Sequence, residues 1–156
     1  MAKIVDKWES FSPQLRSVLR ILAAFTYMSH GTMKLFAFPA AMMPGAGGVH
    51  LFSEIGLAGI IETFGGALLL LGLFTRPVAF IVAGEMAVAF FQVHFPRSFW
   101  PVISGGELAY LYCFIWLYIS AAGAGPWSID ALIKKNRKLK EPGQPHHETR
   151  SANDAI

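Results

Sequence analysis

Long apolar stretches alternate with short polar breaks along this chain, and the length of those stretches points to its architecture. A bilayer core about 30 Å thick takes about 20 apolar residues at a helical rise of about 1.5 Å. Four stretches approach that length, at residues 13–36, 55–74, 77–94 and 105–123. Ser12 reads as the N-cap of the first, with Pro13 in its first turn. The pattern predicts an all-α integral membrane protein, an antiparallel four-helix transmembrane bundle. The two ends of the chain read differently. Ile4, Val5, Trp8 and Phe11 recur at helical spacing, and so do Ile129, Leu132 and Ile133 behind a Ser128 cap, with lysines on the other face. Such helices are expected to lie in the membrane interface. The chain therefore divides into a cytoplasmic interfacial segment (1–12), a four-span domain (13–127), a basic amphipathic helix (128–140) and a polar tail (141–156) expected to be disordered. His146-His147 falls in that tail and is assigned no function.

Composition sharpens the picture. Of 156 residues, 54% are hydrophobic and 15% charged, where a soluble domain carries about 25% charged residues. The deficit is local: residues 21–125 hold seven charged side chains, namely Lys34, Glu54, Glu62, Arg76, Glu85, Arg97 and Glu107. This excludes a disordered chain, a nucleic-acid-binding domain and an ordinary soluble enzyme. Eleven of the 13 basic residues fall on one side of the predicted spans, Arg97 and Lys34 being the others. Both termini are thus expected in the cytoplasm, with loops 37–54 and 94–104 facing outward across a plasma membrane, the inner membrane in a bacterium. The single cysteine, Cys113, excludes an internal disulfide, dithiol exchange by this chain alone and a cysteine-based zinc or iron–sulfur site. Arg16 and Arg20 interrupt the first apolar run and no A-x-A site follows, so no cleavable signal peptide is expected.

Four small motifs stand in order on these spans. Gly31 precedes Lys34 by three residues. Glu62 precedes Gly65-Gly66 and then Leu71-Gly72-Leu73-Phe74-Thr75-Arg76. Gly105-Gly106-Glu107 opens the fourth span, and Gly123-Ala124-Gly125-Pro126-Trp127-Ser128-Ile129-Asp130 closes it. Over about residues 15–130 this order resembles the DoxX family of small four-span membrane proteins. The last exit departs slightly from the Gly-Pro-Gly usual there. The resemblance implies a small subunit or accessory of a quinone-linked or redox-protective membrane complex, with other subunits of that complex as partners.

The polar residues inside the spans are the candidate chemistry, because an ionisable group there is costly and turns toward the bundle interior or a water-filled cavity. Arg16, Arg20, Ala23, Tyr27, His30 and Lys34 form one stripe of the first span. Counting the rise from the cytoplasmic end of each span puts Arg20 at about 10 Å, Glu85 at about 12 Å and Glu62 at about 18 Å. It puts His30, His94 and Glu107 at about 25 Å, and Lys34 higher still. On this count Arg20 pairs with Glu85 as a structural ion pair, and Glu62 has no cation at its own depth. The expected site is a polar pocket in which His30, Lys34 and His94 bind a small group such as a quinone head. Glu62 and Glu107 exchange protons there. A haem between His30 and His94 is the cofactor variant. No metal site is expected, since none of Glu62, Glu85 and Glu107 has a His three residues on, as a di-iron bundle requires. Two rivals are a non-catalytic scaffold or assembly factor, in which the stripe only joins helices, and a small proton-coupled transporter.

Overall fold

The apolar stretches fold as helices whose bounds follow their local backbone chemistry. The computed structural model describes residues 2–42 and 49–140, with side chains from residue 5 onward. The predicted tail, His146-His147 included, lies outside the described residues. Helix α1 spans Ala2–Ser10 and α2 Ser12–Phe36. Ser12 is the first helical residue and not the cap. Phe11, at φ −86° and ψ −10°, is already near-helical, so α1 leads into α2 without the extended residue that aims a capping side chain. Helix α3 spans Glu54–Leu71 behind Ser53, whose Oγ accepts the Gly56 N–H at 3.1 Å. Helix α4 spans Thr75–His94, α5 is a single turn at Pro101–Ser104, and α6 spans Glu107–Ala122. Helix α7, Ile129–Lys140, carries the predicted cap: Ser128 Oγ accepts the Ala131 N–H at 3.1 Å. No strand occurs among the described residues. Helices α3 and α4 are long and apolar enough to cross a membrane. Helix α6 is apolar over 16 residues, and α2 has 25 but is interrupted by Arg16, Arg20 and Lys34.

Contacts between helices fix their directions. Gly59 lies against Lys34, Gly31 against Glu62 and Thr63, Gly66 against Met28, and Gly72 against Arg20. Numbers rise along α3 as they fall along α2, so the two are antiparallel. A Cβ at Gly31 would stand 2.5 Å from Thr63 N, and one at Gly66 would stand 2.8 Å from Met28 Cβ. The absent side chains let these backbones approach, as small residues do between membrane helices. Helices α4 and α6 are antiparallel as well, Arg76 meeting Ala121 at one end and His94 meeting Gly106 at the other. Helix α2 meets α6 from Arg16–Ala122 to Thr26–Tyr112, and Val82 of α4 sits on Gly65 of α3. The four long helices close a ring in the order α2, α3, α4, α6.

The interior of that ring holds Tyr27, Trp116, Leu69, Ile119 and Val82, with Tyr112 stacked on Trp116 at 6.4 Å and 8°. Large apolar side chains also face outward, among them Leu22, Phe25, Phe64, Phe80, Ile81, Phe91 and Phe114. Meanwhile Arg20 and Glu62 are buried. A soluble domain rarely exposes so continuous an apolar surface around charged interior groups.

Candidate functional site

Arg20 does not meet Glu85. Its fully buried guanidinium donates instead to main-chain carbonyls: Leu69 O, Leu70 O (2.7 Å), Ala124 O (2.9 Å) and Trp127 O (2.5 Å). The first two are C-terminal carbonyls of α3, where the helical ladder runs out with the Gly72 N–H on Leu69 O at 3.2 Å, so Arg20 completes the cap of this end. Arg20 lies level with Gly72, at the end of α3, because α2 begins about two turns below that end. A count from the end of each span placed it too deep. Glu85 stands opposite Tyr27, two turns further along α2, and accepts the Tyr27 hydroxyl at 2.9 Å.

The same offset corrects Glu62. A Cβ at Gly59 would stand 3.1 Å from Lys34 Cβ, so Lys34 starts only about one turn above Glu62. Its ammonium lies 2.7 Å from Glu62 Oε2, with the two side chains 15% and 3% exposed. The acid expected to be alone is half of a buried ion pair. It stands in a π-helical stretch, Ile61–Gly65, where α3 widens against Gly31. His94 closes a second such stretch, Phe90–His94. Turns of this kind occur preferentially at functional sites.

Between these elements lies a cavity of about 230 Å³, lined by Tyr27, His30, Lys34, Glu62, His94 and Tyr112 among others. Four of the five expected site residues, His30, Lys34, Glu62 and His94, come together here. Glu107 does not: it is exposed in the first turn of α6, where an acid interacts favourably with the helix dipole. Tyr27 and Tyr112 are lining residues beyond the predicted set. Tyr27 belonged to the polar stripe of α2, whereas nothing in the sequence singled out Tyr112. The hydroxyl of Tyr112 donates to Thr26 Oγ1 at 2.7 Å, and its ring meets His30 edge-on at 6.4 Å and 77°.

The polar groups of the cavity divide by role. His94 Nδ1 faces the Ser104 carbonyl oxygen at 3.2 Å. A carbonyl only accepts, so Nδ1 carries the hydrogen and Nε2 of the neutral ring is an acceptor. Lys34 retains N–H donors beyond the one directed at Glu62. The site thus offers a donor and an acceptor around a space that is net neutral when Lys34 and Glu62 are both ionised and the histidines are not. Its volume is below the roughly 300–1,000 Å³ of drug-sized pockets, so it suits a single ring.

Polar groups turned inward and apolar side chains turned outward define a small helical membrane protein. The chain belongs to the DoxX family, a family of small membrane proteins, whose family model matches residues 15–95. It is similar to a protein of Haemophilus influenzae described as uncharacterized, at 42% identity over 129 residues, which cover 81% of this chain and 96% of that one. No solved structure matches.

Proposed function

We propose that the chain is a four-span membrane protein with both termini cytoplasmic, whose cavity binds the ring of a quinone or quinol. It then acts as a small subunit or accessory of a quinone-linked or redox-protective membrane complex. Helices α2, α3, α4 and α6 are the spans, and α1 and α7 lie on the cytoplasmic interface, where Trp8, Phe11 and Leu132 are exposed. The cavity opposes the arginine-bearing end, so it belongs to the outward half. The observation that carries the reading is the pairing of unused donor and acceptor groups, Lys34 and His94 Nε2, in a space sized for one ring.

A quinone supplies two-electron redox chemistry when bound. Lys34 would donate to a ring oxygen of either form, and His94 Nε2 would accept from a hydroxyl of the quinol, with His30 beside them in the cavity. Lys34–Glu62 places an acid–base pair beside the ring oxygens. Electrons come from a partner chain.

Three measurements test this reading. Reporter fusions at residue 156 and within residues 40–48 are expected on opposite sides of the membrane; the same side for both refutes the four-span topology. Purified protein in mild detergent is expected to carry a lipidic quinone detectable by extraction and mass spectrometry. Trp116, stacked on Tyr112, should lose fluorescence when a short-chain quinone is added. His94→Ala should weaken that titration about tenfold, the worth of one good hydrogen bond. Absence of both quinone and quenching favours the scaffold.

A further inference from the structure

The end of the bundle opposite the cavity gathers three arginines, none of which stands within 4.0 Å of a carboxylate among the described residues. Arg20 is consumed by carbonyls. Arg16, from α2, and Arg76, from α4, converge on the last turn of α6. Arg16 Nη1 donates to Ala122 O at 2.8 Å, while Arg76 Nη1 donates to Ser120 O at 3.1 Å and to Ala121 O at 2.5 Å. Two guanidinium groups thus stand over consecutive carbonyls of one helix end. Each has five N–H donors, and these contacts use one nitrogen of each. Arg16 Nε is buried with no partner. Among the described residues the one ion pair within 4.0 Å is Lys34–Glu62, far from this end. Asp130, the acid of α7, is already engaged: its two oxygens accept the Phe74 and Thr75 N–H groups, each at 2.9 Å.

The surroundings say what kind of anion suits this pair. One turn back along α6, Leu117 and Tyr118 are exposed, and Leu15 and Leu19 flank Arg16 on α2. Below them α7 carries Lys134, Lys135, Arg137, Lys138 and Lys140, all exposed. A soluble anion would use the charge and leave the apolar flank unused. An amphiphile uses both.

We propose that Arg16 and Arg76 bind the phosphodiester of an anionic phospholipid, with its acyl chains along Leu15, Leu19 and Leu117 and the α7 cations on neighbouring headgroups. The arginines hold the phosphate from two sides of the α6 terminus, as guanidinium forks do. The inference rests on the four-span topology proposed above but not on the quinone reading. Failure of quinone copurification leaves it standing, and its own failure leaves the cavity unaffected.

The test uses the full chain in a neutral detergent, with native mass spectrometry after adding phosphatidylglycerol or phosphatidylcholine at equal concentration. Phosphatidylglycerol is expected to stay bound and phosphatidylcholine to be lost. Arg16→Gln and Arg76→Gln should each weaken retention about fivefold, and the double variant roughly twenty-five-fold, by the worth of a cation at an anionic surface. Arg16→Lys with Arg76→Lys should keep most of the selectivity, since the charges remain. Arg76 is exposed and Arg16 half-buried, so each single variant carries the test if the double variant fails to fold, as judged by near-ultraviolet circular dichroism. Ten-millimolar inorganic phosphate is expected to leave the bound lipid in place. Equal retention of the two lipids, wild-type retention by the glutamine variants, or displacement by inorganic phosphate overturns the proposal.

Discussion

Lys34→Met is expected to destabilise the bundle by roughly 3–5 kcal/mol, the cost of stranding a buried charge when its partner is removed. Glu62 is the group stranded: its side chain is 3% exposed and sits mid-helix, away from any surface to which it could turn. Glu62→Gln should cost less. The lysine left behind is 15% exposed at the outset and has a long stem with which to reach a wetter place. The combined change Lys34→Met with Glu62→Leu should recover most of the loss, because two well-packed apolar side chains avoid both desolvation costs. Thermal unfolding in detergent for the wild type, Lys34→Met, Glu62→Leu and their double variant gives the coupling directly. Additive single effects would mean that the ammonium and carboxylate do not depend on one another.

Arg20→Met should be more damaging still, and the expected result is a chain that does not accumulate in folded form. The side chain is 0% exposed and reaches four carbonyls on two separate segments, the end of α3 and the connection from α6 to α7. Hydrogen bonds to a charged group contribute about 1.5–3 kcal/mol each, and such values do not add fully. A loss on the order of 5 kcal/mol follows, a large share of the stability of a small domain. Arg20→Lys should restore only a fraction, since three donors on one nitrogen cannot span sites arranged for a planar fork. A double-mutant cycle between Arg20 and Glu85 should show no coupling, Glu85 being held by Tyr27. Coupling above about 1 kcal/mol would bring back the ion pair that the spacing had suggested.

What the sequence disclosed and what it concealed have separate physical causes. Helix bounds were legible because apolar length and the cap at Ser128 act locally. The inward stripe of α2 was legible because helical periodicity sorts faces, so Tyr27, His30 and Lys34 all reach the cavity. The partners of the charges were not. Depth counted from span ends assumes that all helices begin at one level, yet α2 extends below the α3–α4 turn, as Gly72 against Arg20 shows. That single offset misplaced Arg20 toward Glu85 and removed Lys34 from Glu62. Arginine added a second source of error, for its donors are as well satisfied by carbonyls as by carboxylates, and carbonyls leave no trace in the sequence. Glu107 had the right height on the wrong side of its helix.

The knot around Arg20 gives the molecule a floor. Beneath the cavity come Tyr27 and Trp116, then Leu69 and Ile119, all fully buried, and then the guanidinium tied to four carbonyls, with Asp130 clasping the start of α4. In this structure these layers and bonds separate the cavity from the arginine-bearing end. The bundle is a cup rather than a conduit. On the four-span topology proposed above, a small molecule held among His30, Lys34 and His94 would enter and leave on the outward side of this floor.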